Sequence, residues 1–370
     1  MVLTVERRRL TMVRRAAALP VGMAVLLGLI VCLYGSTVTS VRPRGLPVLV
    51  AGPAQSTKAF MDEVEHMSPG AMRVTVVTDA DAADRALRDR KAYAAFVFTA
   101  DGLSLRLASA ASPAVAEALV RGMAMTFPDL RIPVVDVVPN AAADHQGGGV
   151  SAGYLPLVLI AAAVGVLLAR SGRSRQQRLV GLSCFVVAGG VAGTLALSGG
   201  LDVLPDNFLR SVVVLAVITA AVTAPVMGLG AVAAVRGLVA AVALTVVGVA
   251  LSGASSAPEM LPTPWGGLGQ LLPPGAGVTL ARSTLYFDGA GGAGAAAVLT
   301  IWAVAGIALV LVGRERAGAG IARRPGAPLP GEPAPAEVGT TPVTGQIVRP
   351  REGGLEISHG VSPREEGFRA

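Results

Sequence analysis

Asp62, Glu63, Glu65 and His66 crowd within five positions, the one stretch where carboxylates and an imidazole stand close enough to hold a metal or pass a proton. Such chemistry needs side chains that converge on a point. Phe60, Val64 and Met67 recur at helical spacing over 55–67, so the four polar residues read as the solvated face of a helix. Asp79, Asp81 and Asp84 read as the start of a second helix, with Asp79 as its N-cap. The histidines His66, His145 and His359 are scattered, and no nucleophile stands beside a base. Gly289, Gly291 and Gly294 fit the spacing of a dinucleotide-binding loop. No strand precedes them and an apolar run follows, so small residues entering a packed span explain them better. Neither Lys58 nor Lys91 follows a glycine, so the chain carries no P-loop. The expectation is a protein without catalytic residues, metal site or cofactor, and not an enzyme.

The elements that would position any site are read from hydropathy. Apolar residues make up 52 % of the 370 positions and charged residues 15 %, with mean hydropathy +0.62. A soluble domain carries nearer a quarter charged residues. The deficit falls in blocks, the mark of membrane spans. Aromatics are only 4 %, so the spans are built from Ala, Val, Leu and Gly, which favours close helix packing. The net charge of +7 sits beside the spans and does not point to nucleic acid. Cys32 and Cys184 both fall in apolar runs, so no structural disulfide is indicated, and Leu29-Ile30-Val31 argues against lipidation of Cys32.

The expected fold is a polytopic α-helical membrane protein of six spans with an inserted α/β domain. A basic N-terminus, 1–15, leads into a first span at 16–35. Its apolar run is long for a signal peptide, and Thr37-Val38-Thr39 is a poor cleavage site. Residues 36–152 read as a soluble domain, with strands at 46–52, 73–78, 93–99, 103–108 and 132–138. Helices at 55–67, 79–91 and 112–127 complete the order β-α-β-α-β-β-α-β. Further spans fall at 153–169, 179–198, 211–235, 237–253 and 290–313. The 211–252 run would be ~63 Å long as one helix, about twice a bilayer core, so it must fold into two antiparallel spans near Arg236-Gly237. Pro225 should kink the first of these. Gly189 and Gly193 form a GxxxG pair. Residues 314–370, rich in Pro, Gly, Ala and Glu, read as a disordered tail, with Thr340-Thr341-Pro342 and Thr344 as a candidate phosphorylation site.

Arginine placement orients the spans. Those at 7, 8, 9, 14 and 15, at 170, 173, 175 and 178, at 236, and at 314, 316, 323 and 324 fall on one side. Both termini are therefore expected in the cytoplasm of a bacterial cell, with the soluble domain outside. No Asp, Glu or Lys lies near a span centre, which argues against an ion-driven carrier. The stretch 254–289 is the most specific. It holds Trp265-Gly266-Gly267, Leu271-Leu272-Pro273-Pro274-Gly275 and Ala281-Arg282-Ser283-Thr284-Leu285-Tyr286-Phe287-Asp288. Pro-Pro-Gly breaks the chain there. The short amphipathic segment after it should dip into the outer interface or re-enter the membrane. Trp265, Pro273, Pro274, Gly275, Arg282, Tyr286 and Asp288 are the candidate outer gate. Arg170, Arg173, Arg175 and Arg178 are the candidate contact for a cytoplasmic partner or anionic lipid.

With this layout the chain resembles the type-2 ABC permease superfamily over about residues 15–313. The likeness is to the branch with a large outer domain between spans one and two, the phage-infection-protein-like group. It rests on the layout, on Asp84-Arg85-Ala86-Leu87-Arg88-Asp89-Arg90-Lys91-Ala92-Tyr93-Ala94-Ala95-Phe96-Val97 with Ala108-Ser109-Ala110, and on Leu272 through Gly289 before the last span. The resemblance implies a permease subunit that dimerises with itself or a relative, pairs with a separate cytosolic ABC ATPase and exports amphipathic or envelope-related molecules. The chain departs from the family at 170–178, where a short basic loop replaces the usual cytoplasmic coupling element. A second reading therefore stands beside the first: a non-transporting membrane scaffold or receptor whose outer domain binds an envelope or secretion partner.

Overall fold

The structure, a computed structural model, describes residues 42–313 except 130, 145–146, 172–173 and 201–206, with Ala24 and Gly28 besides. The first expected span at 16–35, apart from Ala24 and Gly28, and the tail at 314–370, with its threonines, lie outside the described residues.

Five strands and three helices build the α/β domain. They are β1 (Leu46–Ala51), α1 (Ala54–Met67), β2 (Met72–Val77), α2 (Ala80–Arg88), β3 (Ala94–Thr99), β4 (Gly102–Leu107), α3 (Pro113–Thr126) and β5 (Val134–Asp136). The element order is the one the periodicity predicts. The sheet runs β2-β1-β3-β4-β5, and β3–β4 is its antiparallel hairpin; the other pairings are parallel. Side chains alternate across a strand, so β1 feeds two cores. Leu49 and Ala51 pack with Ala83, Ala86 and Leu87 of α2. Leu46, Val48 and Val50 pack on the other face with Val115, Ala116 and Leu119 of α3. Asp79 caps α2, its Oδ1 accepting from the Ala82 amide at 2.7 Å, and that bond holds its carboxyl below the usual range. Ser112 caps α3, with Pro113 at the first helical position. Asp84 pairs with Arg106 of β4.

Neither core is closed by the domain alone. Phe287 inserts into the α2 side, and Ala257 and Met260 into the α3 side. All three come from the stretch between the last two long helices.

Four helices are long and apolar enough to cross a membrane, which marks the protein as membrane-embedded: α4 (Gly149–Ser171), α5 (Arg175–Leu195), α6 (Phe208–Ala250) and, after the shorter α7 (Trp265–Gln270) and α8 (Pro273–Tyr286), α9 (Ala293–Val312). A five-residue π turn extends α5 to Gly200. The six-span expectation differs from this count for two reasons. The first expected span is outside the described residues, and the 43-residue α6 holds two of the others. Helical dihedrals continue through Pro225; the break is at Ala234, with φ 49° and ψ −128°. There the chain doubles back. A Cβ at Gly237 would strike the carbonyl of Leu229, and the cleft between the arms is walled by Ala221, Pro225 and Leu229 on one side and Ala241, Leu244 and Thr245 on the other. Unbroken, residues 229 and 237 would stand ~12 Å apart. The boundary expected at 153 falls earlier, because α4 begins at Gly149.

Small residues let the helices approach closely. A Cβ at Gly190 would sit 2.7 Å from the Val212 carbonyl oxygen, so Gly190, more than the paired Gly189 and Gly193, sets the α5–α6 distance. Gly306 of α9 lies against the Ala224–Pro225 peptide, with no room for a Cβ. Gly294 of the same helix faces open space. Gly306→Ala should therefore destabilise the bundle by about 1–3 kcal/mol through overpacking, while Gly294→Ala leaves it unchanged or slightly steadier; thermal unfolding of both variants in detergent checks the contrast.

Candidate functional site

Polar chemistry concentrates where the α/β domain meets the helical bundle. α8 is the central element. Leu272 precedes it in an extended conformation, and Pro273 and Pro274 occupy its first turn, where a missing N–H costs nothing. The Pro-Pro pair thus starts a helix immediately after the break that the sequence predicts. Pro273, Pro274 and Gly275 are buried. A Cβ at Gly248 of α6 would lie 2.9 Å from Pro274, and the Tyr154 hydroxyl of α4 donates to the Pro274 carbonyl. Trp302 of α9 donates from Nε1 to the Leu271 carbonyl at 2.9 Å. At 14 residues, ~21 Å, α8 is too short to cross a bilayer core, yet it packs against α6 and α9.

Arg282 projects from α8 and is 4 % exposed. Its Nη1 donates to the carbonyls of Ala111 (3.0 Å) and Ser256 (3.3 Å); its Nη2 donates to the Ala254 carbonyl (2.7 Å) and Ser151 Oγ (3.4 Å). One guanidinium thereby ties the α3 approach, the 254–256 loop and the first turn of α4. Ser112 Oγ adds a 2.8 Å bond to the Ser256 carbonyl, and Ser151 Oγ donates to the Ala254 carbonyl. Burial, with the nearby Arg90 charge, pushes Arg282 down to about 10.

Arg90 approaches from the domain. It follows α2 at φ 57°, with its amide on the Leu87 carbonyl and the Lys91 amide on the Ala86 carbonyl. This is the Schellman closure, whose left-handed position usually belongs to glycine. Arg90 Nη1 donates to the Thr279 carbonyl of α8 at 2.8 Å, and the guanidinium stands 5.7 Å from the Phe287 ring centre. Burial lowers its pKa. Tyr93 donates to Glu259 Oε2 at 2.8 Å; burial and the neighbouring Glu259 charge push its phenol well above the ordinary range. Arg44 donates from its amide to the Glu259 carbonyl (3.0 Å) and from Nη1 to the Met260 carbonyl (3.3 Å). Between these side chains and α7 lies a cavity of about 650 Å³, which reaches Gln270, Thr279 and Gly291.

The other gate candidates separate. Trp265 is 40 % exposed at the start of α7. Tyr286 is half-buried, and burial with the Asp144 charge pushes it up to about 12. Asp288 is on the surface, paired with Arg210 at 2.6 Å, a contact worth little in water. At the opposite end of the bundle, Arg170 and Arg175 are exposed and Arg173 is outside the described residues. Arg178, expected with them at a partner contact, is buried. Asp62, Glu63, Glu65 and His66 lie exposed along α1, and no group of three metal-ligating side chains converges among the described residues. Sequence reading missed Arg44, Arg90, Tyr93 and Glu259 as one constellation. The signal that could have found Arg90 is a non-glycine residue at a helix end where glycine is favoured.

Comparison of the chain with family models, curated proteins and solved structures finds no match.

Replacing Arg282 by Met should destabilise the junction by about 2–5 kcal/mol, because the carbonyls it serves stay buried without their donor. Tyr93→Phe should cost only about 1 kcal/mol. Thermal unfolding, with limited proteolysis across 42–140, reads both.

Proposed function

We propose that the chain is the membrane permease subunit of an exporter of amphipathic or envelope-related molecules, powered by a separate cytosolic ABC ATPase. In this reading it works in a bacterial plasma membrane as a homodimer or paired with a related permease. The α/β domain lies outside and both termini lie in the cytoplasm. The observation that carries the reading is the placement of α8. It is a helix too short to span, packed among the spanning helices and bonded through Arg282 and Thr279 to the soluble domain. Such a helix connects the domain to the bundle, and it gives an alternating pathway an element that can gate one end without a charged residue in the spans. Arginine placement and the resemblance at 84–97 and 272–289 support the orientation and the class.

One observation favours the second reading, a scaffold or receptor that transports nothing. The α4–α5 link at the far end is very short, and Arg178 is withdrawn from its surface. A lever for an ATPase would have little there to grip.

Purification of the tagged full-length protein from native membranes in mild detergent, followed by mass spectrometry, separates the two. A stoichiometric nucleotide-binding ATPase supports the permease; an envelope or secretion protein in its place supports the scaffold. Within the permease reading, Pro273→Ala with Pro274→Ala should lower export several-fold while membrane insertion and abundance hold. Export at the unaltered rate would remove α8 from the gate.

A further inference from the structure

Arg44, Arg90, Lys91 and Glu259 line the junction cavity; Lys91 is paired with Asp89 at 2.8 Å, so it is Arg90, in no ion pair among the described residues, that offers its charge to the space. We propose that the cavity binds the phosphate-bearing headgroup of an anionic amphipathic molecule, with Arg90 as the principal contact and Arg44 as the second.

Glu259 Oε2 accepts the Tyr93 hydroxyl, and its charge acts on Arg90 from beyond ion-pair distance. Arg90 enters no ion pair among the described residues, and its bond to the Thr279 carbonyl occupies one of the five N–H donors of a guanidinium. Arg282 adds a second buried guanidinium close enough for its charge and that of Arg90 to oppose each other. An anion placed in the cavity relieves this repulsion where low dielectric makes it strongest. A guanidinium fork matches the paired oxygens of a phosphate.

The backbone supplies an independent observation. Arg90 holds a left-handed conformation that costs a side-chain-bearing residue ~1 kcal/mol or more, at a position where glycine would relieve the strain. Strain kept at one residue points to work done by its side chain. The cavity volume suits a headgroup with its glycerol, being within the ~300–1,000 Å³ of small-molecule sites. Pro47, Leu261 and Pro264 give it apolar wall. It reaches Gly291, two residues before α9 begins, so it sits at the level where the apolar helices start. An amphipath can then leave its tails beside the bundle.

The inference goes beyond the transport proposal and does not depend on it. Binding is read on the purified full-length chain with no ATPase present, so either can fail while the other stands. Native mass spectrometry would follow titration with short-chain phosphatidylglycerol and with phosphatidylcholine of the same tails. Phosphatidylglycerol should bind the wild type at least about tenfold more tightly, the worth of one good charge-assisted bond. Arg90→Gln should abolish that preference. Arg90→Gly should abolish it too, and thermal unfolding of both Arg90 variants separates loss of the ligand from loss of the fold. Gly267 lines the cavity, and a Cβ there meets nothing within 4 Å. Gly267→Leu should therefore fill the space and weaken binding with both arginines intact. Inorganic phosphate is the competitor. Displacement of the lipid by phosphate alone marks a site that also takes free phosphate; retention marks a lipid site, and both support the anion assignment. Equal affinity for the two lipids, or an unchanged preference in both Arg90→Gln and Gly267→Leu, overturns it.

Discussion

The structure turns on a buried guanidinium. Arg282 could not stay charged in the interior without oxygen atoms around it, and the chain supplies them from three separate segments at 111, 151 and 254–256. Four acceptors replace the water lost on burial, and none is a carboxylate. The bonds therefore hold only while all three segments stay in register. Removing any one leaves a desolvated charge and exposed carbonyls, so the domain and the bundle are bound to one another by the penalty of separating them. The hydrophobic accounting runs the same way. Phe287, Ala257 and Met260 close cores that the sheet and its helices leave open. The α/β domain is thus a lobe completed by the stretch between α6 and α9, and not a bead on a tether.

Electrostatics at the junction are unbalanced in one direction. Arg44 and Arg90 line the cavity with one glutamate, Glu259, whose carboxylate holds Tyr93, and the charge of Arg282 opposes that of Arg90. A purely structural junction would be better served by neutral groups of similar shape, because buried charges seldom stabilise more than apolar packing does. The left-handed Arg90 adds a backbone cost to the electrostatic one. Two independent local penalties at the same residue are what a site under functional constraint looks like.

Periodicity made the α/β lobe legible before any coordinates. The apolar run at 46–52, the alternation at 73–78 and Asp79 as a cap are local signals, and local signals survive folding. The double-back in α6 was legible for a different reason: no bilayer accommodates a 43-residue apolar helix. Its position was legible nearly to the residue: the turn expected near Arg236-Gly237 breaks at Ala234, two residues earlier. The site was legible only in part. The 272–289 stretch stood out through its prolines and aromatics. Its partners at 44, 90, 93 and 111 lie far away in sequence, and charge alone gives no distance. Arg178 shows the converse. Basic residues at a span end read as surface, and its burial depends on packing that composition does not encode.

α8 joins two kinds of contact that cannot change independently. One side of it meets the spanning helices through Pro274 on Gly248 and Tyr154 on the Pro274 carbonyl. The other meets the domain through Thr279 and Arg282. A helix is stiff along its length, so a shift of its first turn against α4 and α6 is carried to Thr279 and Arg282 one and two turns on. The cavity wall includes Thr279, and its shape therefore follows the bundle. Whatever occupies the cavity can bias the arrangement of the spans only by binding one arrangement more tightly than another. The residue that would make that difference is Arg90, since its guanidinium touches both the cavity and the backbone of α8.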